Sequence, residues 1–329
     1  HRQADERARD GGWHRGTTVI AADEEHVTVG EERPSRAMVW VEAARPRTLP
    51  ASLAPVLVGT AAAADGKGLR HLSGGRFALV VVVALAVQIA VNYANDYFDG
   101  VRGVDTVQRA GPRRAVASGI ASPRAMKTAI GLAMAVAAAA GLALAAIVSW
   151  WLLLVGVAAF VALLGYSGGP RPYASAGLGE VFVFVFFGLV ATLGSAYVQH
   201  ARLPATAWIA AVVTGVLAVA ILVVNNLRDV PTDAIAGKRT LAVRIGEART
   251  RQLFVAAIAL GLGLAVIGEP IAARSAWPLL ALLALPLARE PIAAVRSGGV
   301  GRALIPALGG TGRLELAVAV LLAVGLLLD

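Results

Sequence analysis

The sequence predicts an all-α polytopic membrane protein, with nine transmembrane helices around a central cavity that opens near the cytoplasmic face. Composition and patterning carry this reading. Of 329 residues, 57% are hydrophobic and 16% are charged, where a soluble domain holds about 45–50% and about 25%. Mean hydropathy is +0.69. The apolar residues gather in blocks of roughly 17–22, the length at which a helix crosses about 30 Å of hydrocarbon.

Residues 1–36 mix both charges and lack an apolar run. They read as a disordered cytoplasmic tail and not as a signal peptide. Residues 37–329 then form one membrane-embedded domain. Its spans fall at approximately 47–64, 77–97, 125–147, 149–166, 178–198, 205–226, 251–268, 275–289 and 313–328. The first opens at RPRTLP, where prolines are tolerated near a helix start. The third and fourth meet around Ser149 as a tight hairpin. The eighth carries Pro278 and Pro286 and has the weakest helical signal.

The loops after spans two, four, six and eight hold 17 Lys and Arg; the alternate loops hold 5. That bias places the even-numbered loops and the N-terminus in the cytoplasm. Much of the net charge of +9 is therefore topological, which argues against nucleic-acid binding. There is no cysteine, which excludes disulfides and thiol chemistry. None of the five histidines has metal-ligand spacing.

Chemistry concentrates where two spans end. Span two runs into Asn92-x3-Asp96-x2-Asp99, within NYANDYFDGVRGVD. Span six runs into Asn225-x3-Asp229-x3-Asp233, within NNLRDVPTD. On an α-helix each trio falls within about 60° and about 80° of arc, so each forms a polar stripe if its helix persists that far. Three spans lie between them, so both run in the same direction and both stripes open on the same side. A parallel pseudo-repeat follows, with halves at about 43–166 and 178–289 plus a final helix at 313–328.

A solvated helix end is the plain reading of one such aspartate. Two recurring stripes argue otherwise. Aspartates oppose the helix dipole at a C-terminus, and each costs roughly 2.5–3.5 kcal/mol at bilayer depth. Carboxylate and amide oxygens without Cys or His make a hard-oxygen set suited to Mg²⁺. Arg102, Arg113, Arg114, Arg228, Lys238 and Arg239 follow the two stripes closely. They supply cations for a diphosphate gripped from the other side. A diphosphate site inside a membrane points to a substrate with a lipid tail.

With these motifs the chain resembles the UbiA superfamily of intramembrane prenyltransferases, and within it the branch acting on 1,4-dihydroxy-2-naphthoate. The resemblance rests on ARPRTLPASLAPVLVGTAAA, NYANDYFDGVRGVDT, GPRRAVASG, YSGGPRPYASAGLGEVFVFVFFGLVATLGSAYVQ and NNLRDVPTDAIAGKRTLAVRIG. It implies a UbiA-type bundle in the cell membrane that joins a polyprenyl diphosphate to 1,4-dihydroxy-2-naphthoate, with loss of CO₂ and diphosphate, to give demethylmenaquinone. It implies that Asp96, Asp99, Asp229 and Asp233 bind Mg²⁺ with help from Asn92 and Asn225, and that Lys238 assists catalysis. It assigns substrate contacts to Asn92, Asn95, Arg102, Arg113, Tyr166, Asn225, Asn226, Arg228 and Arg239. The superfamily's first motif, NDxxDxxxD, is met by Asn95, Asp96 and Asp99, but the next acid is Asp105, six positions on. A homo-oligomer is compatible with all of this.

Further residues carry two readings each. The run FVFVFFG (Phe182–Gly188) suits a water-free cavity that stabilises a carbocation; lipid-facing packing is an equal reading for three of its four phenylalanines. In YSGGPRP, Tyr166 and Arg171 either reach the substrates or sit in a plain turn. Arg45 and Arg47 read first as snorkelling anchors, with acceptor-carboxylate binding as the sharper alternative. Gln88, Glu180 and Gln199 either line the cavity or bond a neighbouring helix. Rival functions are prenyl transfer to 4-hydroxybenzoate or homogentisate and, from another class, ion-coupled transport using the same acids.

Overall fold

The structure, a computed structural model, describes residues 36–103 and 114–329. The expected tail at 1–36 lies outside the described residues save for Arg36, and Asp105 and Arg113 lie wholly outside them. Every regular element among the described residues is helical. The main helices are α1 (Arg36–Ala43), α2 (Pro50–Ala62), α3 (Gly74–Val101), α4 (Pro123–Ile147) and α5 (Trp151–Ser167). They continue with α6 (Gly179–His200), α7 (Ala205–Ile235), α8 (Glu247–Ala273), α9 (Trp277–Arg296) and α10 (Gly301–Leu328). Seven of these are long and apolar enough to cross a membrane; α2 and α5 are apolar but shorter.

Local signals explain the boundaries. Ser122 caps α4, its hydroxyl accepting from Ala125 N–H at 3.1 Å, and Pro123 takes the first helical position, where its missing N–H costs nothing. Both motif helices outlast their apolar segments: α3 continues to Val101, and α7 runs past the interior Pro231 to Ile235. Each acidic trio therefore lies on one continuous helix. The segment with Pro278 and Pro286 forms a 3₁₀ helix over Trp277–Ala288 before α-geometry resumes.

The most buried of the spans is α7, which packs against α2, α6, α8 and α10. Its inner face, with Leu217, Val224 and Leu227, belongs to the largest apolar cluster. On the other side, α3 packs on α4 and α5. Small residues set the closest approaches, as expected where lipid removes the hydrophobic drive between helices. In α6 the turns Phe184–Val190 widen to π geometry, and Gly188 sits so close to α7 that a Cβ there would lie 2.5 Å from Gly215 Cα.

Gly59 of α2 meets α6 in the same way. A Cβ on Gly59 would lie 2.2 Å from the backbone oxygen of Thr192. A backbone atom cannot swing aside, so Gly59→Leu is expected to cost about 3 kcal/mol, at the upper end of overpacking penalties. A lowered thermal midpoint in detergent checks it; an unchanged midpoint contradicts the contact.

Candidate active site

Asn92 and Asn95 near the end of α3 and Asn225 of α7 line a cavity of about 560 Å³. Its polar lining includes Arg45, Thr48, Ser52, Gln88, Asn92, Asn95, Tyr166, Ser195 and Asn225; most of the rest is aliphatic and aromatic, chiefly from α2 through α7. All four motif aspartates are buried: Asp96, Asp99, Asp229 and Asp233 expose 5% or less. Buried carboxylates need partners, and these have them.

Asp99 accepts from Lys238 Nζ at 2.8 Å. This ion pair joins the first motif to the loop after the second, across 139 residues. Arg228 pairs with its own neighbour, Nε to Asp229 Oδ1 and Nη2 to Asp229 Oδ2, both at 2.7 Å. Such forked pairs are among the strongest polar contacts. Asp96 differs. Its Oδ2 accepts from Ala115 N–H and its Oδ1 from Val116 N–H, each at 2.9 Å.

The asparagines are held too. Asn92 donates to Ala44 O at 2.8 Å and to Thr48 Oγ1 at 3.1 Å. Ser167 Oγ donates to Asn95 Oδ1 at 2.6 Å, and Asn226 Nδ2 donates to Glu180 Oε1 at 3.0 Å. Arg102 clamps the turn after α5, donating to the carbonyls of Ser167, at 2.7 Å, and Gly169. Of the expected substrate cations, Arg239 is exposed.

Tyr166 stands at the convergence, within electrostatic reach of Glu180, Arg45, Asp99 and Asp233. From it an aromatic column descends the cavity. Tyr173 lies edge-on to Tyr166 at 5.4 Å, Phe182 stacks on Tyr173 at 3.8 Å, and Phe186 follows at 6.1 Å. Phe182, Phe186 and Phe187 line the cavity, while Phe184 packs on Gly215. The lipid-facing reading of this run therefore gives way: Phe182 and Phe186, four residues apart, share one helical face, and Phe187 joins them at the cavity. Tyr173 donates to Ala162 O. Burial, with Tyr166 beside it, pushes its phenol above the ordinary range, so it stays protonated.

The paired readings separate. Arg45 lines the cavity, in a left-handed backbone conformation, whereas Arg47 and Arg171 are exposed. Gln88 lines the cavity and donates to Thr48. Gln199 accepts from Ser73 N–H at 2.8 Å, bonding a neighbouring segment. Thr48 and Ser167 were not singled out from the sequence, although both lie in quoted segments. Nothing in a lone hydroxyl reveals that it buttresses a motif asparagine.

A model of the UbiA prenyltransferase family matches residues 52–297. The chain belongs to the UbiA prenyltransferase family. Relatives within it include the 1,4-dihydroxy-2-naphthoate octaprenyltransferase of Mycobacterium tuberculosis, 47% identical over 83% of this chain and 91% of that one. The Escherichia coli protein of the same name is 35% identical over 78% and 84%. Among solved structures, a UbiA homolog from Aeropyrum pernix K1 covers 85% of this chain and 97% of its own, with TM-score 0.63 and 16% identity. A UbiA homolog from Archaeoglobus fulgidus bound to DMAPP and Mg²⁺ covers 87% and 99%, with TM-score 0.57 and 18% identity. At those identities the two structures establish the UbiA fold for this chain.

Among the described residues no three acids or histidines converge as a ready-made metal cluster. The donor chemistry of this UbiA-family site still suits Mg²⁺, which usually takes one or two carboxylates and completes its shell with water and substrate phosphate. Lys238 and Arg228 hold the places of cations beside Asp99 and Asp229.

Proposed function

We propose that this protein transfers a polyprenyl chain from a polyprenyl diphosphate to 1,4-dihydroxy-2-naphthoate, releasing diphosphate and CO₂ and giving demethylmenaquinol, the reduced form of demethylmenaquinone. The observation that carries the reading is the cavity: mostly apolar, with Asn92, Asn95 and Asn225 in its wall, each one helical turn before a buried motif aspartate. A polar corner on an apolar wall suits a diphosphate-headed lipid. The acceptor follows from the relatives, which bear the naphthoate prenyltransferase name over most of the chain. A transporter has no need of paired acid and base beside a mostly apolar cavity.

Asp99, Asp229 and Asp233 are the acids best placed to hold Mg²⁺, with Asn92, Asn95 and Asn225 lining the cavity beside them. Bound there, Mg²⁺ would neutralise charge on the departing diphosphate. Lys238 and Arg228 would turn from their carboxylates to the phosphate oxygens, supplying fixed positive charge where negative charge develops. Tyr166, Tyr173, Phe182 and Phe186 line the cavity and would stabilise the allylic cation through their rings. The apolar wall keeps water from quenching it, and the electron-rich naphthoate ring captures it at the carbon that then loses its carboxyl group. We also read α2 and α5 as crossings, which gives nine, and place the motif end in the cytoplasm on the Lys and Arg bias.

Purified protein supplied with Mg²⁺, octaprenyl diphosphate and 1,4-dihydroxy-2-naphthoate is expected to release CO₂ and form the prenylated naphthoquinol, identified by mass spectrometry. Turnover with 4-hydroxybenzoate or homogentisate and none with the naphthoate would overturn the acceptor assignment.

A further inference from the structure

We infer that Asp96 is a positioning residue that fastens the loop after α3, and is not a metal ligand. This rests on the proposed function for what the loop serves, but not for the geometry itself. Asp96 is 1% exposed, and both its oxygens are taken by consecutive backbone amides, Ala115 and Val116, at 2.9 Å. Those amides begin a single helical turn, in which Ser118 N–H bonds Arg114 O at 3.0 Å. The first N–H groups of such a turn have no partner within it. A carboxylate spanning two of them satisfies both and matches the positive end of the turn.

The seat for this turn is built into α3. Gly100, one helical turn beyond Asp96, lies against Val116, where a Cβ would meet Val116 Cβ at 2.9 Å. Ala115 is buried, and it joins Ala94, Ala121 and Met126 in a small core between α3 and α4. Side chain, backbone and packing thus agree in pinning residues 115–116 to the α3 face beside Asp99. Arg114, one position before the first anchored amide, belongs to the same turn and is the cation whose position that pinning would fix. The other motif acids behave differently: Asp99 and Asp229 face Lys238 and Arg228, partners that a diphosphate could draw away. Freeing Asp96 for a metal would instead strand two N–H groups, that of Ala115 buried and that of Val116 half-buried.

Hydrogen–deuterium exchange on the full-length protein in detergent tests this directly. The amides of Ala115 and Val116 are expected to exchange slowly, and to remain equally protected when Mg²⁺ and geranyl diphosphate are added without acceptor. Asp96→Ala should release both amides. It should also raise the KM for the prenyl diphosphate about tenfold while the Mg²⁺ concentration giving half-maximal rate stays constant. Arg114→Ala should produce a similar KM change, and the double variant should be no worse than the poorer single, the mark of two residues acting as one unit. Loss of protection at 115–116 when the wild type is loaded would overturn the inference, as would a raised Mg²⁺ requirement in Asp96→Asn. If Asp96→Ala does not fold, the wild-type exchange decides alone. A chain that fails to prenylate the naphthoate sinks the proposed function without altering the exchange result.

Discussion

Asp99→Asn is expected to lower turnover by about three orders of magnitude, as loss of one preorganised electrostatic group does in other enzymes, while leaving the protein folded. The substitution keeps shape and removes charge, so little packing changes. Its ion-pair partner, Lys238, has a side chain 16% exposed, on a flexible stem that can carry the freed ammonium toward water. The stability cost is therefore small. Asp229→Asn is a poorer probe: it strands Arg228, whose side chain is 5% exposed, and breaking such a buried pair costs roughly 3–5 kcal/mol. Steady-state turnover measured beside thermal unfolding separates the two cases. Asp99→Asn within tenfold of wild type would refute the place given to that carboxylate.

The second large effect concerns the tail. Gly156 of α5 lines the cavity, and a Cβ there meets nothing within 4 Å. Ten residues separate it from Tyr166, about 15 Å along the helix. A two-isoprene tail whose head sits at the acids ends short of Gly156; an eight-isoprene tail must pass it. Gly156→Phe fills that space without a backbone clash. It should cut kcat/KM for octaprenyl diphosphate by about a hundredfold, the scale on which filled pockets discriminate, and leave geranyl diphosphate within about threefold. Equal losses for both donors would show that the tail takes another route.

The helices were legible because the bilayer imposes one rule. Each apolar block had to become a helix, and α3, α4, α6 and α7 lie where hydropathy placed them. The motif stripes were legible for a similar reason, since regular spacing survives translation into a helical face. Less was readable where partners come from elsewhere in the chain. Asp96 and Asp99 look equivalent in NDYFD, yet one caps a turn and the other faces Lys238. Only the return path of the chain distinguishes them. The phenylalanine run stayed open between two readings because an apolar ring suits either a lipid face or a cavity wall, and only the packing of α6 shows that Phe182, Phe186 and Phe187 line the cavity. The start of α10 at Gly301 was hidden by Gly309 and Gly310, poor helix formers held in place by packing.

The two ion pairs of the site also differ in when they can form. Arg228 and Asp229 are adjacent, so α7 carries its neutralising pair from the moment that helix is synthesised. Asp99 must wait for Lys238, 139 residues later. During biogenesis α3 therefore enters the bilayer with an acid whose partner has not yet left the ribosome. That acid sits two residues before the last residue of α3, Val101, where headgroups and water can solvate it in the meantime. Placing Asp99 two turns deeper would leave it in hydrocarbon until α7 arrived, so the shallow position of the motif is also what makes the protein assemblable one helix at a time.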